Sequence, residues 1–211
     1  MASTNGLAVS VFRALYGKYN SGVNDGVTDD QLRRTGVFCE NSSYAQTEDN
    51  FLAEGTIQRG GYVVGLPVFT NIEQAKGWMN NRTYGNLPAL TELDIPLNYL
   101  LGDLPRLAIV SNNINNPDLD RILNQDEIQR LLRGERLDDV GECVLREVSG
   151  DKLTLNNTRR ISPDLVRELR KNERFFRPTE LKDGKLLPDA LMEEVRISDE
   201  PTEASSEISV K

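Results

Sequence analysis

The sequence predicts a single α+β domain of short strands and short helices. Several segments alternate apolar and polar residues as half-buried strands do, beginning with Leu7–Leu15. Other segments start with a capping residue and carry apolar side chains at helical spacing. With 38% apolar and 27% charged residues in a chain of 211, one core of ordinary size can form. We expect the domain to span residues 1–197 and residues 198–211, rich in Ser and Glu, to form a disordered acidic tail.

The first half of the chain is divided by capping residues and by glycine-rich stretches. Thr28 precedes two aspartates and a glutamine, which is typical of a capped helix start. The predicted elements are a strand over Leu7–Leu15, a helix from Thr28 to about Arg34, a helix over Thr47–Glu54, a strand ending at Phe69, a helix capped by Asn71 and a strand over 89–96.

The second half has the same mixed character. Its last predicted helix begins at Ser162-Pro163 and carries a row of cations through DLVRELRKNERFFR, which could face an acidic partner or simply solvent. The predicted elements are a strand over 106–110, a helix from Asn124 to about Arg133 stopped by Gly134, a hairpin that joins Glu142–Val148 to Lys152–Asn156 through Ser149-Gly150-Asp151, and the helix from Ser162.

Composition excludes several classes of function. The chain has no histidine, which removes Ser-His-Asp and Cys-His catalysis and His-containing zinc sites. Because Cys39 and Cys143 are the only cysteines and lie far apart, we expect two reduced thiols and no metal site. A net charge of −8 argues against general binding to duplex nucleic acid. Without a long apolar run or a basic leader, we expect no membrane association and a cytoplasmic location, which includes delivery into another cell's cytosol.

An ordered set of short motifs gives the first indication of function. No single motif is specific, since each covers only a few residues, and their order carries the weight. The motifs are an arginine in the first strand (VFRAL, 11–15), a strand that ends in a hydroxyl and a cap (VFTN, 68–71), a helix with a tryptophan (EQAKGWM, 73–79), a strand closed by proline (ALTELDIP, 89–96) and a strand opened by glutamate (ECVLREV, 142–148).

This succession resembles the mono-ADP-ribosyltransferase fold in its R-S-E layout, in which an Arg, a Ser/Thr-bearing strand and a Glu occur in that order. The stretch GYVVGLPVFTNIEQAKGWM (61–79) also resembles small bacterial ADP-ribosyltransferase-like toxin families. The resemblance covers about residues 8–156. It implies a split β-sandwich with short flanking helices and a central cleft for NAD. The implied activity releases nicotinamide and passes ADP-ribose to a macromolecular acceptor, in the first place a protein.

The resemblance assigns two binding residues. Arg13 matches the first-strand arginine that binds the phosphate or ribose of NAD; the alternative is an exposed strand arginine paired with a carboxylate. Thr70 matches the hydroxyl position of the second motif, although Phe69-Thr70-Asn71 departs from the usual Ser-Thr-Ser. An ordinary helix cap formed by Thr70 and Asn71 is the alternative.

Glu142 matches the catalytic glutamate that opens a strand. A carboxylate there would stabilise the oxocarbenium-like charge that forms when the glycosidic bond of NAD breaks. Val140 stands where arginine-modifying members have Gln or Glu, so an arginine acceptor is disfavoured. Glu147 and the pair Asp138-Asp139 are alternative acids.

Two aromatic residues complete the expected site. Tyr62 and Phe69 would stack on the nicotinamide, although aromatic residues in strands more often belong to a core, as Trp78 is expected to do. None of the roles expected of the arginine, the hydroxyl and the glutamate needs a metal. Two alternatives to the transferase remain: an NAD glycohydrolase that uses water as acceptor in the same cleft, and a non-catalytic protein-interaction module on the same scaffold.

Overall fold

A nine-stranded antiparallel sheet organises the chain, with strand order β15-β12-β7-β1-β6-β10-β8-β9 and β11 paired to β10. This computed structural model describes residues 6–15, 19–20, 23–24, 26–39, 58–59, 62–63, 65–80, 87–102, 106–111, 120–150, 152–154, 157–159, 161–183, 185–187 and 189–197. Mixed secondary structure with a largely antiparallel sheet and few helices confirms the α+β class. The expected helix over Thr47–Glu54 and the expected tail over 198–211 lie outside the described residues.

The strands of the main sheet are short, and three two-stranded hairpins accompany them. The main strands are β1 (Ala8–Leu15), β6 (Leu66–Phe69), β7 (Ala89–Pro96), β8 (Arg106–Ser111), β9 (Arg121–Ile122), β10 (Glu142–Val148), β11 (Thr158–Arg159), β12 (Arg174–Pro178) and β15 (Met192–Val195). The hairpins are β2 (Tyr19–Asn20) with β3 (Val23–Asn24), β4 (Gln58–Arg59) with β5 (Tyr62–Val63), and β13 (Leu181–Lys182) with β14 (Lys185–Leu186).

Three of the helices begin at a residue whose side chain caps them. The side chains of Thr28, Asn124 and Ser162 each accept a hydrogen bond from a backbone N–H in the first turn of the helix that follows. Among the described residues, no helix combines the length and the apolar character that a bilayer span needs. The helices are α1 (Asp29–Thr35), followed by a 3₁₀ turn over Gly36–Phe38, then α2 (Ile72–Asn80), α3 (Leu97–Leu101), α4 (Gln125–Leu132) and α5 (Pro163–Arg170).

The two faces of the sheet have separate apolar clusters. Side chains alternate along β1, so Val9 and Val11 point to one face, called here the Val9 face, and Phe12 and Ala14 point to the other, the Phe12 face. The larger cluster lies on the Val9 face and takes in apolar residues of α3, α4 and α5. A smaller cluster on the Phe12 face contains Ala75, Met79 and the half-buried Trp78 of α2. The sheet is therefore sandwiched between helices on the Val9 face and α2 on the Phe12 face.

Three predicted elements differ from the structure. Residues 152–154 of the expected strand are not in a strand, and β10 pairs with β11. Asn157 closes the turn between them by accepting the backbone N–H of Thr154, and the backbone N–H of Ser149 donates to the carbonyl of Asn157. The helix from Ser162 ends at Arg170, and the chain reverses to form β12, whose aromatic pair Phe175-Phe176 favours a strand. Pro96 ends β7 as predicted, yet it also precedes α3, a helix that the sequence did not predict.

Gly65 lets β6 and β10 approach each other at the start of their pairing. A Cβ atom at Gly65 would lie 1.8 Å from the carbonyl oxygen of Leu145, which is part of the β10 backbone and has no room to move. From this point the register runs through Leu66↔Leu145 to Phe69↔Glu142. The absence of a side chain at residue 65 is therefore a condition for this strand pair.

We expect Gly65→Ala to destabilise the fold by about 2–4 kcal/mol, because the added methyl group must push the two backbones apart. Gly77→Ala is the matched control, since a Cβ there meets no atom within 4 Å. Because Gly77 lies inside α2, this control should stabilise the protein by about 0.5–1 kcal/mol. Urea unfolding of both variants measures the difference, and equal stabilities would contradict the close approach at Gly65.

Candidate functional site

The three strands that carry Arg13, Thr70 and Glu142 are neighbours in the sheet. Strand β6 lies between β1 and β10 and pairs with both. Thr70 follows β6 directly, and Glu142 is the first residue of β10. With strands about 4.8 Å apart, the backbones of β1 and β10 lie about 10 Å from each other. Segments that are up to 129 positions apart in sequence therefore meet at one end of the sheet.

One cross-strand row runs through the centre of this region. Phe12 on β1 is opposite Phe69 on β6, and Phe69 is opposite Glu142 on β10. Cross-strand partners share a face, so the Glu142 carboxylate and both phenyl rings belong to the Phe12 face. Phe69 is 8% exposed and also packs on Trp78, with ring centroids 6.2 Å apart. Glu142 is half-buried at the end of this aromatic row.

Arg13 projects to the opposite face from Glu142. It is adjacent to Phe12, and the pleat of β1 sends its side chain to the Val9 face. Arg13 is 6% exposed, and its Nη1 donates to the backbone carbonyl of Pro67 at 3.1 Å. The guanidinium therefore binds the β6 backbone from the buried side. Binding of NAD by Arg13 stays a prediction.

A buried carboxyl lies beside Arg13 on the Val9 face. Thr91 is the cross-strand partner of Arg13, and its hydroxyl donates to Glu173 at 2.5 Å. Arg170 donates to the other oxygen of Glu173 at 3.0 Å. Burial raises the pKa of the Glu173 carboxyl, while the Thr91 hydrogen bond and the Arg170 charge act in the opposite direction. This cluster ties the end of α5 and the residue before β12 to strand β7.

Thr70 lies at the junction between β6 and α2. Its side chain is 7% exposed, and its hydroxyl has no hydrogen-bond partner within the described part of the chain. The next residue, Asn71, caps α2 by accepting the backbone N–H of Glu73 at 2.7 Å. The sequence analysis offered Thr70 and Asn71 together as a helix cap. Asn71 is the capping residue, and the Thr70 hydroxyl takes no part in the cap.

Gln74 was missed as a site residue although it belongs to the EQAKGWM motif. Its amide nitrogen donates to the carbonyl of Val140 at 2.7 Å and, at 3.5 Å, to that of Leu137. These contacts fasten the segment that leads into Glu142 to the first turn of α2. Gln74 is a positioning residue for Glu142, and its side-chain oxygen has no partner among the described residues. The sequence signal that could have identified Gln74 is its fixed position after the VFT segment of the motif.

The alternative acids are engaged elsewhere. Glu147 is 8% exposed, pairs with Arg159 and accepts the backbone N–H of Ser162 at 3.3 Å. Asp138 pairs with Arg136 at 3.0 Å on the surface. These contacts give Glu147 a structural role, and Glu142 is the candidate acid that pairs directly with β6.

Asp139 is also exposed, with 72% of its side chain accessible, and it lies 4.0 Å from Arg121. Tyr62 belongs to β5, but its side chain lies outside the described residues, so its stacking role stays a prediction. Phe69 is the cross-strand partner of Glu142, and its stacking on the nicotinamide stays a prediction.

Both cysteines are free and buried, as predicted. Burial raises the pKa of the Cys143 thiol to about 12, and the neighbouring negative charge of Glu142 acts in the same direction. Cys143 is therefore a protonated core residue at neutral pH and not a nucleophile. In the part of the chain that the structure describes, no group of three or more Cys, Asp and Glu side chains is arranged to hold a metal ion.

No known protein family, curated protein or solved structure matches this chain.

The two buried threonines of this region should respond differently to loss of the hydroxyl. Thr91→Val should destabilise the fold by about 1.5–3 kcal/mol, because it removes a hydrogen bond to a buried carboxyl. Thr70→Val keeps the shape and removes a hydroxyl without a described partner, so stability should stay within about 0.5 kcal/mol or rise. Thermal and urea unfolding compare the two, and a loss for Thr70→Val as large as that for Thr91→Val would show that its hydroxyl is bonded in the fold.

Proposed function

We propose that this protein is an NAD-dependent mono-ADP-ribosyltransferase with an ADP-ribosyltransferase-like sheet, and that NAD is bound where β6 ends and β10 begins. The observation that carries the proposal is the adjacency of β1, β6 and β10, which brings the Arg, Ser/Thr and Glu strands of the resembled layout side by side. Sequence order alone did not require this adjacency, because 71 residues lie between Thr70 and Glu142.

Glu142 supplies the charge that the reaction needs. In the proposed step, the C–N bond between nicotinamide and ribose breaks, and its electron pair leaves with the nicotinamide. The ribose carbon becomes oxocarbenium-like, and a carboxylate in a partly buried place stabilises that positive charge more strongly than water does. The acceptor nucleophile then bonds to this carbon and loses its proton.

The aromatic row and Thr70 provide the rest of the binding surface. Phe12 and Phe69 lie on the same face as Glu142 and offer flat apolar area for the nicotinamide ring. The Thr70 hydroxyl can donate to and accept from a ribose hydroxyl without breaking any hydrogen bond among the described residues. Phe12 adds to the site expected from the sequence, in which Tyr62 and Phe69 were the stacking residues.

Arg13 supports this surface from behind. Its hydrogen bond to Pro67 holds the strand that carries Phe69 and Thr70. An arginine has several N–H donors, so the Arg13 guanidinium can bind the β6 backbone and a phosphate at the same time. For this, the pyrophosphate of NAD must pass over the end of β6.

The acceptor is proposed to be a macromolecule, and a protein in the first place.

Incubation of the purified protein with NAD labelled in the adenylate part tests the activity. Release of nicotinamide with label retained on protein is the expected result. Label that stays wholly in free ADP-ribose would make the protein a glycohydrolase that uses water as acceptor. No nicotinamide release with any acceptor, and no thermal stabilisation by millimolar NAD, would contradict the enzyme and favour the interaction module.

Glu142→Gln should lower NAD turnover about 100- to 1,000-fold while NAD affinity and melting temperature change little, because the charge acts mainly in the transition state. Glu147→Gln is the matched control on the same strand. It removes the ion pair to Arg159, so stability should fall while turnover per folded molecule is kept. Initial rates and isothermal calorimetry give both values. Near-normal turnover by the Glu142 variant would remove Glu142 from the catalytic role.

A further inference from the structure

Two buried polar atoms at the start of α2 have no hydrogen-bond partner among the described residues: the Thr70 hydroxyl and the side-chain oxygen of Gln74. Thr70 directly follows β6 and is 7% exposed, and Gln74 lies in the first turn of α2. A buried polar atom without a partner costs free energy, so a native fold rarely keeps one unless a ligand or a water binds it. Two such atoms about one helical turn apart point to a polar ligand at this junction.

The orientation of the Gln74 amide decides what such a ligand must supply. The amide nitrogen donates to the carbonyls of Val140 and Leu137, and a reversed amide would set its oxygen against both carbonyl oxygens. The Gln74 oxygen is therefore an acceptor that needs an O–H or N–H donor. A carboxylate or an ionised phosphate has no proton to donate, whereas a sugar hydroxyl has one.

Both atoms lie next to the segment that leads into Glu142. The hydrogen bond from Gln74 to Val140 places the amide two residues from Glu142 along the chain. One step beyond the last pair of β6 with β10, the same register brings Thr70 opposite Gly141. At the end of a strand pair a ligand is not confined to one face of the sheet. One ligand can therefore contact the Thr70 hydroxyl and the Glu142 carboxylate together.

Gly141 leaves room for a ligand at this point. It is exposed, and a Cβ atom built on it would meet no atom of the described residues within 4 Å. Its φ is not positive, so the backbone there can carry any residue. A side chain at position 141 would therefore enter this space without straining the fold.

We propose that Thr70, Gln74 and the open side of Gly141 form the subsite for the nicotinamide ribose, an inference that rests on the proposed NAD function. One ribose hydroxyl donates to the Gln74 oxygen, and the neighbouring hydroxyl forms a hydrogen bond with the Thr70 hydroxyl. The sugar is the one joined to nicotinamide, because these residues flank Glu142, whose carboxylate acts on that sugar. The subsite therefore selects ligands with a vicinal diol, and both contacts contribute to affinity.

Calorimetric titration of NAD into three variants tests the subsite without relying on turnover. Thr70→Val removes one hydrogen-bond partner and should weaken NAD binding about tenfold. Gly141→Ala puts a methyl group into the space for the ribose and should also weaken NAD binding about tenfold or more. Gly77→Ala is the matched control, because its methyl group also meets no atom within 4 Å but lies on the exposed side of α2. This control should bind NAD normally.

Two NAD analogues, with fluorine in place of the 2′- or the 3′-hydroxyl of the nicotinamide ribose, test the chemistry of the contact, since a C–F group cannot donate a hydrogen bond. The analogue that lacks the donor to Gln74 should bind the unaltered protein about tenfold more weakly than NAD, because it leaves a buried acceptor unpaired.

The outcomes separate this subsite from the proposed function. Normal NAD affinity in either the Thr70 or the Gly141 variant, or analogue affinities that both equal that of NAD, overturns the subsite while the NAD proposal stands. If the Gly141 variant does not fold, the Thr70 variant and the analogues still decide. Failure of the unaltered protein to bind NAD overturns the proposed function and the subsite with it.

Discussion

The close pairing of β6 with β10 is the constraint on which the rest of the site depends. Gly65 permits this contact, since any side chain there would collide with the carbonyl oxygen of Leu145. The pairing sets the register that puts Phe69 opposite Glu142, and the partner strand β1 extends the same row to Phe12. A shift by one residue would send the Glu142 carboxylate to the Val9 face and into the core.

Buried polar groups near β1 and β6 differ in whether they have hydrogen-bond partners in the described part of the chain. On the Val9 face, Thr91, Glu173 and Arg170 satisfy one another, and Arg13 bonds to the backbone of β6. At the β6–α2 junction, the buried hydroxyl of Thr70 has no such partner among the described residues. Buried groups that are satisfied hold a fold together, whereas an unsatisfied one calls for a ligand or a water. This contrast is why we place the proposed chemistry at the end of β6.

The sequence predicts most elements here because local signals are strong. The capping residues Thr28, Asn124 and Ser162 predict the helices that follow them. The alternation of apolar and polar residues predicts the strands β1 and β10. Predictions failed where tertiary contacts decide. Strand β12 forms because Phe175 and Phe176 pair with β7, and the partner of β10 is set by the turn at Asn157. The sequence could indicate the site residues one by one. That the side chains of Arg13 and Glu142 lie on opposite faces of the sheet follows from the pairing of the strands, and no local sequence pattern shows that pairing.

Amide hydrogen exchange with and without saturating NAD tests the central claim most directly, because it reports where the ligand lies without relying on turnover. We predict that NAD slows exchange in two segments, 66–74 and 140–143, which meet through the β6–β10 pair and the hydrogen bond from Gln74 to Val140. Outlying segments such as β15 should exchange at unchanged rates. Protection by NAD confined to other parts of the chain, with these two segments unaffected, would contradict the placement of the site.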